Sequence, residues 1–192
     1  MSDRYDIYMT GVGGQGIGLL AEALARAVDH AGKSVRGCDT HGLAQRGGIV
    51  SSHLRIGKSA HSPLVSPGQA DLVIALERHE ALRAARTYLK RGGVLVWYDA
   101  SWQPLGVRLG EAAEVGRSEV EAECAAREAQ SCRVLREDLD DPRTQNTAIL
   151  GELAARGLPP GVGAEHFRAA LADLMDGATL ERNLRILDLA RP

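Results

Sequence analysis

Residues 5–18 constrain this chain more than any other stretch: Tyr-Asp-Ile-Tyr-Met-Thr-Gly-Val-Gly-Gly-Gln-Gly-Ile-Gly. Tyr5, Ile7 and Met9 alternate as in a strand, and Ile17, Leu20, Leu24, Ala27 and Val28 recur at helical spacing. A burst of glycine separates the two periods. Gly11, Gly13 and Gly16 satisfy G-x-G-x-x-G between strand and helix, the context that gives the motif its meaning. The first glycine allows a tight turn, the second lets a ligand approach the main chain, and the third lets helix and strand pack closely. Free N–H groups in the next helical turn carry partial positive charge and favour an anion, commonly a phosphate. Gly14 adds backbone freedom, and Gln15 is expected at the loop tip as a neutral donor and acceptor. No Gly-Lys-Ser/Thr ending follows, which sets aside a nucleotide-hydrolysing phosphate loop. The same glycines also suit a tight crossing that another chain covers.

Gly32 stops the first helix, and residues 34–38 read as a second strand ending at Asp39. A dinucleotide-binding unit holds its ribose with an acid about twenty residues past the glycines, so Asp39 is a candidate there. A strand-end residue in a polar loop is the alternative. The next stretch, Thr40-His41-Gly42-Leu43-Ala44-Gln45-Arg46-Gly47-Gly48, joins an imidazole, an amide and a guanidinium to flexible glycines. Open α/β sheets bind ligands at the carboxyl ends of their strands, where this loop and the glycine turn both fall. Arg46 suits bidentate grip of a phosphate or carboxylate, and His41 suits proton exchange. Gln45, Gly47 and Gly48 complete the cluster; a polar turn or a subunit contact also fits it.

Residues 48–56 read as a third strand, antiparallel or at an edge because its connection is short. His41, His53 and His61 show no spacing that converges on a metal. The continuous apolar run 71–76 marks a strand buried on both faces, and 94–98 repeats it after a helix over 78–90. That is a βαβ unit with a parallel pair. Glu77 and Asp99 close these strands as polar ligands, caps or solvated acids. A short strand is expected over 105–109, a weakly anchored helix over 111–129, a last strand over 131–135, and helices over 143–156, 164–175 and beyond Gly177. The expected fold class is α/β, a Rossmann-like three-layer fold with a mostly parallel central sheet and a helical C-terminal tail. It forms one domain over 1–192, an α/β core over 1–136 with a helical extension over 137–192 packed on it.

A chain of 192 residues is long enough for one real core. Its net charge of −2 and aromatic content of 4% argue against nucleic acid and anionic membranes. Cys38, Cys124 and Cys132 are dispersed, with no C-x-x-C, so this chain alone is not expected to hold a four-cysteine iron–sulfur cluster or structural zinc. Dispersed thiols, no signal-peptide pattern and no bilayer-length apolar run lead to a cytoplasmic expectation.

Several motifs together resemble one family. They are Gly11-Val-Gly-Gly-Gln-Gly16, Thr40-His-Gly-Leu-Ala-Gln-Arg-Gly-Gly48 followed by Val50, Ser62-Pro63-Leu64, and Ala70-Asp71-Leu72 with Glu77. Asn146 and Leu150-Gly151 fall where the tail motif lies. The resemblance is to the gamma subunit or domain of 2-oxoacid:ferredoxin oxidoreductases, and the stand-alone size points to the beta subunit of indolepyruvate oxidoreductases. It implies an accessory subunit of a complex that oxidatively decarboxylates a 2-oxoacid, an arylpyruvate such as indolepyruvate, to an acyl-CoA. A larger partner then holds thiamine diphosphate with Mg and the [4Fe–4S] clusters, and ferredoxin takes the electrons. This chain is assigned no catalytic residue and no metal, and is expected to be inactive when isolated. Gly11, Gly13, Gly14, Gln15, Gly16, His41, Gln45, Arg46, Gly47 and Gly48 become the residues expected to contact the partner's cofactor region, with CoA as a shared ligand. A homodimer is a further association to test. Asp39 stands where the family often has Glu, and the acidic stretch 111–129 also departs from its pattern, which leaves the substrate open. Two other readings stay in view: a stand-alone NAD(P)- or flavin-binding Rossmann oxidoreductase, and a non-catalytic interaction module.

Overall fold

The structure, a computed structural model, describes residues 4–41, 48–101, 107, 109–110, 113–139, 141 and 144–190, and of His41 the main chain alone. Six strands form one sheet: β1 (Tyr5–Val12), β2 (Val35–His41), β3 (Ile49–Ile56), β4 (Ala70–Ala75), β5 (Leu89–Tyr98) and β6 (Gln130–Val134). Their spatial order is β2-β3-β1-β4-β5-β6. β1, β4, β5 and β6 pair in parallel, while β3 is antiparallel to both β1 and β2. A short connection cannot carry the crossover a parallel neighbour needs, so β2 and β3 fold back as a hairpin. That hairpin inserts β3 beside β1 and leaves β2 at the sheet's margin.

Among the described residues there are six helices: α1 (Ile17–His30), α2 (Arg78–Thr87), α3 (Arg117–Ala126), α4 (Gln145–Ala155), α5 (Ala164–Leu174) and α6 (Gly177–Asp188). The strand period of two sends Ile7, Met9, Leu72, Ile74 and Val96 to one face, where Leu20, Leu24, Ile149, Leu150 and Phe167 of α1, α4 and α5 cover them. Tyr8, Val73, Ala75, Leu95 and Trp97 point the other way, under Ala81 and Ala85 of α2 and Val120 of α3. Two apolar layers around a doubly covered sheet account for the continuous runs in β4 and β5. Each large side chain fully buried here contributes roughly 1.5–3 kcal/mol. α4 meets α6 at Gly151, where an added Cβ would lie 2.7 Å from the Leu187 carbonyl oxygen. Only a glycine lets the two helices approach this closely.

Several expected bounds shift. β2 runs on to His41, past Asp39, because its ladder with β3 extends to the His41–Val50 pair. β5 starts at Leu89 instead of Val94, with Gly92 in a left-handed conformation inside it. The expected strand over 105–109 is not formed where it is described: Val107 is helical, and the Gly110 N–H closes a turn onto its carbonyl. Residues 105, 106 and 108 lie outside the described residues. α3 is shorter than the expected 111–129 helix and buries only Val120 and Cys124 among its own residues, as its weak apolar pattern implies.

Candidate functional site

The carboxyl ends of β1, β2, β4, β5 and β6 share one edge of the sheet, where β3 begins. Gly11, Val50 and His41 stand level across three strands there. Beyond them the Gly13 N–H donates to the Gly48 carbonyl at 2.8 Å. The glycine turn and the end of the 40–48 stretch therefore meet. Gln45, Arg46 and Gly47 lie outside the described residues, as does the His41 side chain.

Gly14 and Gly16 have φ of 105° and 84°, a region closed to most side chains. Gly16 is also the N-cap of α1 and has no side chain of its own to cap the first-turn N–H groups. Gly18 follows on the exposed side, with open space where a Cβ would stand. At Gly16 an added Cβ would sit 3.0 Å from Asn146 Nδ2, so α4 closes over the turn. Asn146 Oδ1 accepts the Thr147 N–H at 2.8 Å, and Thr147 Oγ1 pairs with Asn183 Oδ1 at 2.6 Å. This buried polar chain links the turn to α6.

Gln15 is not displayed at the loop tip. It is 1% exposed and turned inward, its Oε1 accepting the Val12 N–H and its Nε2 donating to the Leu76 carbonyl, both at 2.7 Å. Both amide ends are thus committed to joining the ends of β1 and β4. Gln15 shapes the turn, and its contribution to any ligand is through backbone. Glu77 caps α2 by accepting the Glu80 N–H at 2.9 Å, and its other oxygen lies 2.6 Å from His79 Nδ1. The Val115 N–H donates to His79 Nε2, which assigns the proton to Nδ1 and ties the 113–116 segment to α2. Asp99 sits between Arg78 and Arg133. Burial raises its carboxyl, but hydrogen bonds from Arg133 and Arg78 and their charges outweigh this and hold it below the ordinary value. Glu77 and Asp99 are therefore braces of the edge.

Asp39 pairs with Ser52 of β3, one strand further from β1 than a Rossmann acid would be. The inserted strand adds about 4.8 Å of separation, which removes the geometric basis for the ribose role. Asp39 instead lines a groove of about 370 Å³ with Gly18, Glu22, Gly37 and Ser52. The Ser52 hydroxyl is buried without a hydrogen-bond partner among the described residues.

The cysteines fit no cluster. Cys124 and Cys132 belong to different hydrophobic cores, and Cys38 is half-buried on the marginal strand. Burial pushes all three thiols up, Cys124 to about 11, the reverse of a ligating thiolate. Among the described residues no helix is long and apolar enough to cross a membrane. Sequence reading missed Gln145 and Thr147, although three consecutive polar residues opening an apolar helix signal a special contact.

The profile of the pyruvate ferredoxin/flavodoxin oxidoreductase family matches residues 6–192. The Archaeoglobus fulgidus indolepyruvate oxidoreductase subunit IorB is 33% identical over 97% of this chain and 93% of its own length. Subunit PORC of Thermotoga maritima pyruvate oxidoreductase shares the fold with a TM-score of 0.69, at 21% identity over 97% of this chain and 94% of that one. A 2-oxoglutarate:ferredoxin oxidoreductase from Magnetococcus marinus, solved with 2-oxoglutarate, coenzyme A and succinyl-CoA, gives 0.68 at 18% identity. The match covers 98% of this chain and 30% of that longer one.

Proposed function

Because the chain belongs to the pyruvate ferredoxin/flavodoxin oxidoreductase family, we propose that it is the accessory subunit of a thiamine-diphosphate-dependent arylpyruvate:ferredoxin oxidoreductase, with indolepyruvate as substrate. The IorB likeness supports that substrate class. A larger partner subunit holds thiamine diphosphate, Mg and the [4Fe–4S] clusters, which supply decarboxylation and carry electrons to ferredoxin. We assign this chain neither task; its three dispersed cysteines do not suit a four-cysteine cluster.

Its part is to complete the site from the carboxyl edge of the sheet. The Gly13–Gly48 hydrogen bond carries this reading, because it joins the glycine turn to the end of the 40–48 stretch. The turn offers backbone N–H groups and the positive end of α1 to an anionic group, with CoA as the shared ligand. Gly11, Gly14 and Gly16 keep that backbone open, and His41, Gln45, Arg46, Gly47 and Gly48 extend the contact. Arg46 grips a phosphate or the partner's carboxylate.

Arg46→Ala, co-expressed with the large subunit, tests this. Losing the proposed charged contact should lower assembly or arylpyruvate-dependent ferredoxin reduction by about tenfold or more. Unchanged assembly together with unchanged turnover overturns the role of the loop. Ferredoxin reduction by the isolated chain overturns the accessory reading itself.

A further inference from the structure

We propose that a cleft at the opposite, amino edge of the sheet binds a small organic anion, one that joins a carboxylate or phosphate to an apolar ring. The cleft holds about 570 Å³ and gathers the starts of β1, β4 and β5 with the turns after α1, β3 and α4. Arg4, Lys33, Lys58 and Lys90 line it, against one lining carboxylate among the described residues, Asp71. Asp71 is already engaged: it pairs with Lys90 and accepts the Asp6 N–H at 2.8 Å. Nearby Asp6 is held by Arg4 and Arg55, each at 3.0 Å. Lys33 and Lys58 have no ion-pair partner among the described residues.

A chain whose net charge is −2 therefore concentrates positive charge in one concave place. Concave walls of low dielectric focus such a field on a ligand. Lys33 is held there by packing: a Cβ at Gly161 would lie 2.9 Å from its Cε, so the glycine makes room for the lysine stem over the turn. Tyr5, Ile56, Pro159 and Pro160 supply an apolar wall. Burial, and then the Asp71 charge, push the Tyr5 phenol up, so the ring stays neutral at physiological pH. An inorganic ion would leave that wall unused, and an uncharged ring would leave the lysines unpaired. The site lies at the far end of every parallel strand from the glycine turn, so it stands independently of the assembly reading.

Phenyl phosphate, phenylacetate and inorganic phosphate are titrated into the full-length chain by NMR. Either phenyl anion should saturate and bind more tightly than inorganic phosphate, and the tighter of the two identifies the head group. Lys33→Glu with Lys58→Glu should weaken that binding about tenfold or more. Arg117→Glu with Arg185→Glu, the same change in net charge elsewhere, should leave it unaltered. Thermal unfolding checks that the lysine variant is folded, and Lys58→Glu alone, on an exposed turn, carries the test if it is not. Absence of saturation, equal weakening by both pairs, or tighter binding of a hexaglutamate peptide through the same lysines overturns the proposal.

Discussion

In β4 and β5, Leu72, Val73, Ile74, Leu95, Val96 and Trp97 have no solvent exposure at all. In β2, Arg36, Gly37, Asp39 and Thr40 are all exposed, and at the start of β3 so is Ile49. One sheet thus has a half sealed by helices on both faces and a half whose hairpin stays open. The sealed half supplies stability, since burial scales with apolar area removed from water. The open half carries the 40–48 stretch and reaches the glycine turn through Gly48. A docking surface needs backbone and polar groups that are not yet spent, and the exposed strand β2 of the open half offers them.

Three substitutions can break this contrast or sharpen it. The largest effect is expected in the sealed half. Trp97→Ala removes a side chain of zero exposure and its Nε1–H bond to Ser131 Oγ, and should cost about 3–5 kcal/mol in chemical denaturation. A loss near 1 kcal/mol would show that this half is not where stability resides.

The second effect is on pH dependence and falls on His53, a buried imidazole of the hairpin. His53 Nδ1 accepts the Val65 N–H at 3.1 Å, which requires the neutral ring, and burial lowers its affinity for a proton. The unfolded chain then binds the extra proton below the ordinary value of 6.5, so stability falls as pH drops through that range. His53→Asn, which keeps an acceptor without a titrating group, should flatten the slope between pH 7 and the lower folded value. Denaturation curves across that range check it, and a slope retained in His53→Asn assigns it elsewhere.

The smallest effect on stability is at Asp39. Asp39→Lys on the exposed strand should shift unfolding by less than about 0.5 kcal/mol while reducing the large subunit recovered by co-purification. A stability loss as large as that of Trp97→Ala would erase the distinction between the halves.

The sealed half was legible in the sequence because it depends on local pattern. A continuous apolar run of strand length has few other destinations, and the βαβ order fixes its parallel pairing. The hairpin's antiparallel sense was legible from its short connection. Its place between β1 and β2 was not, because nothing local says which side of β1 it joins. That insertion is what carries Asp39 away from the glycine turn. The inward turn of Gln15 was hidden for a similar reason, since the Leu76 carbonyl it seeks is 61 residues away. Glu77 resolved as a cap only once the α2 backbone stood behind it. The glycines were readable as a turn, but Asn146 leaning over Gly16 joins parts of the chain that share no local pattern.

The bond from the Gly13 amide to the Gly48 carbonyl also bears on how such a surface can change. It carries the β1–β3 pairing one step past the Val12–Ile49 pair, into the glycine turn itself. Lengthening either ribbon tugs on its mate, so changes in the two should compound non-additively in a double-mutant cycle. Transplanting one ribbon onto another scaffold would leave its companion without this partner, so the pair is best inherited, or engineered, together.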